Sequence, residues 1–307
     1  MATQTQTHIL LILFFLTTAI SADDSRFHNF FPRYRKQLIA TRDGVCGSLF
    51  ATKERGVVYT STGESVCSAL LDCMLDNTTE SIKGDFASGV IALGLMPTIL
   101  VYLGSTTAES ALLARRRPLL AFLIAAGAPS VSPLRSFEYT DPVAQLEERG
   151  SLVEETKISA LRGAVVTAGE YVVVLGAVAN VYLACYYTGS WAVNTISCSD
   201  MYYTAIWASL APILHVLGML ALRSKVMTVP RESRGSETWA WEVRQWLRYE
   251  MTPCVAQDKL VLQSKQDTFP FILVSWIGSI LTVAHILYGV VAFSSLQFLG
   301  KSRDFAN

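Results

Sequence analysis

The sequence predicts an all-α integral membrane helix bundle. About four full transmembrane helices are expected, with one short proline-interrupted re-entrant (or fifth) helix and a small disulfide-containing N-terminal lumenal domain. Three observations carry this. Hydrophobic residues make up 51 % of the 307 and charged residues only 16 %, against about a quarter charged in a typical soluble domain. The apolar residues are clumped into uncharged runs at 86–108, 163–199 (broken only by Glu170), 201–222 and 268–300. Each run holds a stretch at or beyond the roughly 20 residues that a helix needs to cross hydrocarbon. Finally, a polar, cysteine-bearing segment precedes all four runs.

The elements follow in chain order. THILLILFFLTTAISADD has an apolar core from Ile9 to Ile20, then small residues and Asp23 and Asp24. That length suits a signal peptide over residues 1–22, cleaved after Ser21 or Ala22. The alternative is an uncleaved anchor, because no Lys or Arg precedes the core. Residues 23–85 form a lumenal or extracellular domain too small to rest on a large core, so disulfides are expected in an oxidising lumen. It contributes Cys46, Cys67 and Cys73, and an odd number calls for a fourth cysteine from another lumenal loop or another chain. Asn77-Thr78-Thr79 is a glycosylation sequon lying close to the first membrane helix.

Residues 86–134 read as a transmembrane helix followed by a short re-entrant hairpin. Gly94 and Pro97 predict a bend in helix 86–104, and Ser88 and Ala92 give it a small-residue face. The next apolar window, between Arg117 and Arg135, is interrupted by Pro129 and Pro133. Before Pro129 only about 11 residues can be regular helix, reaching about 16 Å, or half a bilayer. Charge decides between returning and crossing, because Lys and Arg are held on the cytoplasmic side. Leaving aside residues 23–85, a returning hairpin places fifteen basic residues in cytoplasmic loops and two in lumenal ones; a crossing one places five and twelve. The return is favoured. A rival that puts residues 23–85 in the cytoplasm satisfies the bias but gives up the signal peptide, the sequon and the disulfides together. In the favoured arrangement the loop 188–201 is lumenal and supplies Cys198 as the fourth cysteine. A crossing segment would supply Cys254 instead, and connectivity stays open.

Residues 135–162 form a cytoplasmic loop, in which Asp141 and Pro142 can start a helix. Residues 163–222 are a transmembrane helix pair. Glu170 and His215 are ionisable groups inside its apolar runs, functional candidates by default. Each lies eight residues from a boundary arginine, Arg162 and Arg223, hence about 12 Å from the same face. A Glu170–His215 hydrogen bond is therefore geometrically allowed, and the pair is expected either to fix helix packing or to serve as a proton relay or substrate site; the remaining alternative is Glu170 simply lying near the interface. His285 belongs near the opposite interface. Gly169, Gly176 and Asn180 suggest close helix packing, and Tyr186, Tyr187, Trp191, Tyr202, Tyr203 and Trp207 an interfacial aromatic belt. Residues 223–269 form a cytoplasmic loop whose SETWAWEVRQWLRYEM is an amphipathic surface helix, with Glu237, Glu242 and Glu250 weakening its hold on anionic lipid. A last span, 270–295, and a tail, 296–307, complete the chain.

The run from Cys67 to Tyr139 contains LGLMPTILVYL, Glu109, RRPLLA and a small-residue-and-proline stretch ending in FEY. In these features it resembles a functionally uncharacterised family of multi-pass membrane proteins of filamentous fungi. The resemblance covers about a quarter of the chain and implies a fungal secretory setting, with no site residues to carry over.

Catalytic patterns such as GxSxG, HExxH, GxxxxGK[ST] and GxGxxG are absent from the sequence, and the Cys67–Cys73 spacing does not suit a metal. No catalytic residue, cofactor or metal ligand is expected. No basic stretch with interleaved aromatics points to nucleic acid. The expected partners are the lipid bilayer and other membrane or cytoplasmic proteins. The expected function is non-enzymatic, a membrane scaffold, interaction or sensor protein; a small proton-coupled transporter or channel using Glu170 and His215 is the alternative.

Overall fold

The computed structural model describes residues 26–132, 159–196, 198, 200–228, 239–254, 262–264 and 268–299. The signal peptide at 1–22 and the helix expected after Asp141 lie outside the described residues. The chain divides into two compact units.

The first unit takes residues up to Ile91 together with 186–204 and the chain from Ser295 onward. It contains α1 (Arg35–Asp43), α2 (Gly47–Glu54), α3 (Val66–Asp76) and the start of α4 (Glu80–Leu103). On α3, Val66, Cys67, Leu70, Leu71 and Met74 are buried, a spacing that makes one inward stripe. The core they join is aromatic. Phe298 meets Phe27, Phe30 and Phe86 edge-on at centroid distances of 6.4, 5.6 and 5.7 Å. Two strands, β1 (Val193–Asn194) and β4 (Leu296–Gln297), pair antiparallel. All four expected cysteines are used, as Cys46–Cys73 and Cys67–Cys198.

The second unit takes residues 92–185 and 205–294. Among the described residues, four helices are long and apolar enough to cross a membrane: Glu80–Leu103, Leu161–Trp191, Tyr203–Ser224 and Phe269–Ser294. They correspond to α4, α7 (Ala160–Trp191), α8 (Tyr203–Lys225) and α10 (Phe269–Ser294). The bend residues of α4 are contact residues. A Cβ at Gly94 would lie 3.2 Å from Ser294 Cβ, and one at Gly289 would lie 2.9 Å from Pro97 Cβ. A short β2 (Val226–Thr228) pairs with β3 (Leu262–Ser264), and α9 (Trp239–Glu250) is the expected amphipathic helix.

Residues 105–117 link α4 to the double-proline segment. They contain α5 (Thr107–Ala114), started by a capping box in which the Thr106 hydroxyl accepts from Glu109 N–H and the Glu109 carboxylate accepts from Thr106 N–H. It packs along α8, where a Cβ at Gly218 would come within 2.6 Å of Thr107. The double-proline segment then forms α6 (Pro118–Gly127), ten residues long, or about 15 Å of helix. After it the chain comes back to where α5 began. Ser132 N–H donates to the Ser105 carbonyl at 3.4 Å, and a Cβ at Gly104 would lie 2.5 Å from the Ser130 carbonyl oxygen.

The small-residue face on α7 is also corrected. Nothing lies within 4 Å of a Cβ built at Gly169 or Gly176, and Asn180 is exposed. Those glycines leave open space rather than admit a neighbouring helix.

Candidate functional site

The Glu170–His215 bond that the spacing allows is not made. Each group has another partner, because the rotation of each helix about its axis, which the sequence does not fix, turns the two side chains to different neighbours. The Glu170 carboxylate accepts from Arg117 Nη1. His215 shares a 2.7 Å hydrogen bond between its Nδ1 and Ser110 Oγ.

Arg117 stands at the centre of a polar clasp joining α6, α7 and α9. Its position is fixed by Pro118, the first residue of α6, whose ring suits a helix start and has no N–H to satisfy. The arginine is fully buried, and its Nε donates to the Glu250 carbonyl at 2.9 Å. Burial alone would lower the guanidinium pKa; the hydrogen bond and charge of Glu170 outweigh that and raise it, so the group stays a cation.

Glu250, expected to weaken the hold of the amphipathic helix on anionic lipid, is fully buried. Its carboxylate accepts from the backbone N–H groups of Leu119 and Leu120 at 3.3 and 2.9 Å, and from the Tyr171 hydroxyl at 2.6 Å. The first N–H groups of a helix have no partner within it and carry the positive end of its dipole. One carboxylate from α9 thus caps α6. The chain after α9 stays close to α7: the Thr167 hydroxyl donates to the Met251 carbonyl at 3.1 Å, and Pro253 lies against Gly163. On the apolar side of α9, Val243 and Leu247 are exposed.

Beside the clasp lies a groove of about 470 Å³, lined by Arg117, Glu170, Gly169, Val173, Leu120 and Ile124 among others. Arg117 Nη2 is buried with no hydrogen-bond partner among the described residues, and the Glu170 side chain is 37 % exposed.

A second polar contact joins α8 and α10. Trp207 and His285 stack at 5.2 Å, Trp207 Nε1 donates to the His285 carbonyl at 3.1 Å, and His285 Nε2 donates to the Trp207 carbonyl at 2.9 Å. Trp207 is 2 % exposed, so it leaves the expected aromatic belt; Tyr186 and Tyr187 are exposed and Tyr187 packs on Trp191.

Asn77 is exposed at the end of α3, its amide donating to the Cys73 carbonyl at 2.8 Å. No group of three or more His, Cys, Asp or Glu able to hold a metal occurs among the described residues. The sequence pattern assigns no site role to Arg117, Tyr171 or Ser110, and reads Glu250 only as a charge on the amphipathic helix. Pro118 marks a helix start, whose N–H groups need acceptors, but nothing near it in sequence names Glu250 as the acceptor. Comparison of this chain with family models, with curated proteins and with solved structures finds no match.

Proposed function

We propose that the protein is a non-enzymatic multi-pass membrane protein of the secretory pathway, a scaffold or sensor with a lumenal or extracellular cysteine-linked domain and a cytoplasmic α9. The observation that carries this is the use made of the buried and half-buried ionisable groups. Arg117, Glu170 and Glu250 are spent on one another and on helix ends, and His215 and His285 on neighbouring helices. In lipid, where burying an apolar face brings little, such polar contacts and small residues hold helices together.

The cystine Cys67–Cys198 supports the topology. Two bonded residues share one side of a bilayer, so the chain between them crosses an even number of times. Helices α4 and α7 supply two crossings, which leaves the α6 segment to return. The resemblance to fungal multi-pass proteins favours the same setting. A glycan on Asn77, and none on an acceptor inserted after Phe137, is the expected topology map; sugar at the inserted acceptor overturns it.

A second reading, a small proton-coupled transporter or channel, is favoured by the interruption between α4 and α5 and by His215 Nε2 and His285 Nδ1, which lack hydrogen-bond partners among the described residues. Broken helices are where transporters place their sites. Proton flux in proteoliposomes that Glu170→Gln or His215→Asn abolishes, with the melting temperature kept, selects this reading. Flux no greater than in empty liposomes selects the scaffold.

A further inference from the structure

We propose that the groove beside Arg117 is a binding site for a lipid alcohol, a long apolar molecule with a hydroxyl head, drawn from the bilayer. The walls supply the first half of the argument. Leu120 and Ile124 of α6 face Val173 of α7 across about 470 Å³, within the size range of small-molecule sites. The space exists because residue 169 is a glycine, beside which a Cβ would meet nothing within 4 Å.

The polar end supplies the second half. The buried Nη2 of Arg117 has no acceptor among the described residues; such a donor costs stability until it is paired. Next to it the Glu170 carboxylate is partly open and can only accept. A hydroxyl answers both groups at once, accepting from Arg117 and donating to Glu170. An anionic head would pair with Arg117 but meet the Glu170 charge, and a cationic head the reverse. An ester or ether oxygen would satisfy the arginine alone. The ion pair therefore selects for a neutral group that both gives and takes a proton in hydrogen bonding, and the apolar walls select for the hydrocarbon attached to it.

The assignment rests on the bilayer reading above, which the glycan map tests separately. The experiment uses the full chain in nanodiscs and tritiated cholesterol as probe. Unlabelled cholesterol, dioleoylglycerol, cholesterol methyl ether and oleate serve as competitors. Saturable binding is expected, with the methyl ether and oleate each at least about tenfold weaker. Competition by cholesterol alone identifies a sterol site; competition by dioleoylglycerol as well identifies the hydroxyl as the shared determinant. If tritiated cholesterol does not bind, tritiated dioleoylglycerol is the second probe, and saturable binding of it identifies a diacylglycerol site. Gly169→Leu adds a side chain at a position where a Cβ meets nothing within 4 Å, and is expected to abolish binding while the melting temperature holds. Glu170→Gln leaves Arg117 unopposed and is expected to admit oleate. Absence of saturable binding with both probes overturns the proposal. So does equal binding of the methyl ether, or unchanged binding in a folded Gly169→Leu protein.

Discussion

The two units hold themselves together by different means. Around Phe298 the contacts are aromatic rings and two cystines; around Arg117 they are a guanidinium, two carboxylates, a phenol and helix N–H groups. The difference follows from the solvent. A small domain in water gains by burying rings but has little core to bury, so covalent links make up the deficit. Between helices in lipid the hydrophobic gain is largely absent, and a buried donor finds no water, so polar groups are matched to one another.

Breaking the covalent links should have the largest effect. Replacing Cys67 and Cys198 by Ser removes a link across 131 residues, and replacing Cys46 and Cys73 removes one across 27. Loop-closure entropy sets ceilings of about 5 and about 3.5 kcal/mol respectively. Melting in detergent should fall further for the first pair, and a mild reductant should loosen this unit while sparing the Arg117 clasp.

Next comes the clasp itself. Glu250→Ala strands two backbone N–H groups and the Tyr171 hydroxyl, costing about 3 kcal/mol; Glu250→Gln should recover part of it. A thermal-shift comparison of the two variants reads the difference. The Arg117–Glu170 pair should be weaker because Glu170 is 37 % exposed. A double-mutant cycle with Arg117→Ala and Glu170→Gln should give a coupling of about 1–2 kcal/mol. Ser110→Ala should cost least, about 1 kcal/mol, by leaving His215 Nδ1 unpaired. Should the clasp variants melt like the parent, the contrast between the units fails.

The four long helices were legible from their uncharged runs, and the four cysteines from parity. The short α6 was legible from its prolines, whose positions limit any helix between Arg117 and Pro129. What was not legible was azimuth. Spacing from Arg162 and Arg223 gave Glu170 and His215 a common depth, but depth leaves each side chain free to point anywhere around its axis. The charged residues misled in the same way. Arg117 and Glu250 look like solvated boundary charges in sequence, because nothing local marks the partners, 53 and 133 residues away, that bury them. The capping signature Thr106-x-x-Glu109 does mark the start of α5 in the sequence.

One bond also imposes a schedule. When Cys67 is made, its partner lies 131 residues ahead, roughly 7–26 s away at ordinary rates of chain synthesis. Cys46 and Cys73 can oxidise long before that, while a lone reactive thiol waits six residues from one of them. Biogenesis therefore needs either protection of that thiol or an isomerase to undo its early mistakes, and the N-terminal domain is sealed only after two of the long helices have been synthesised.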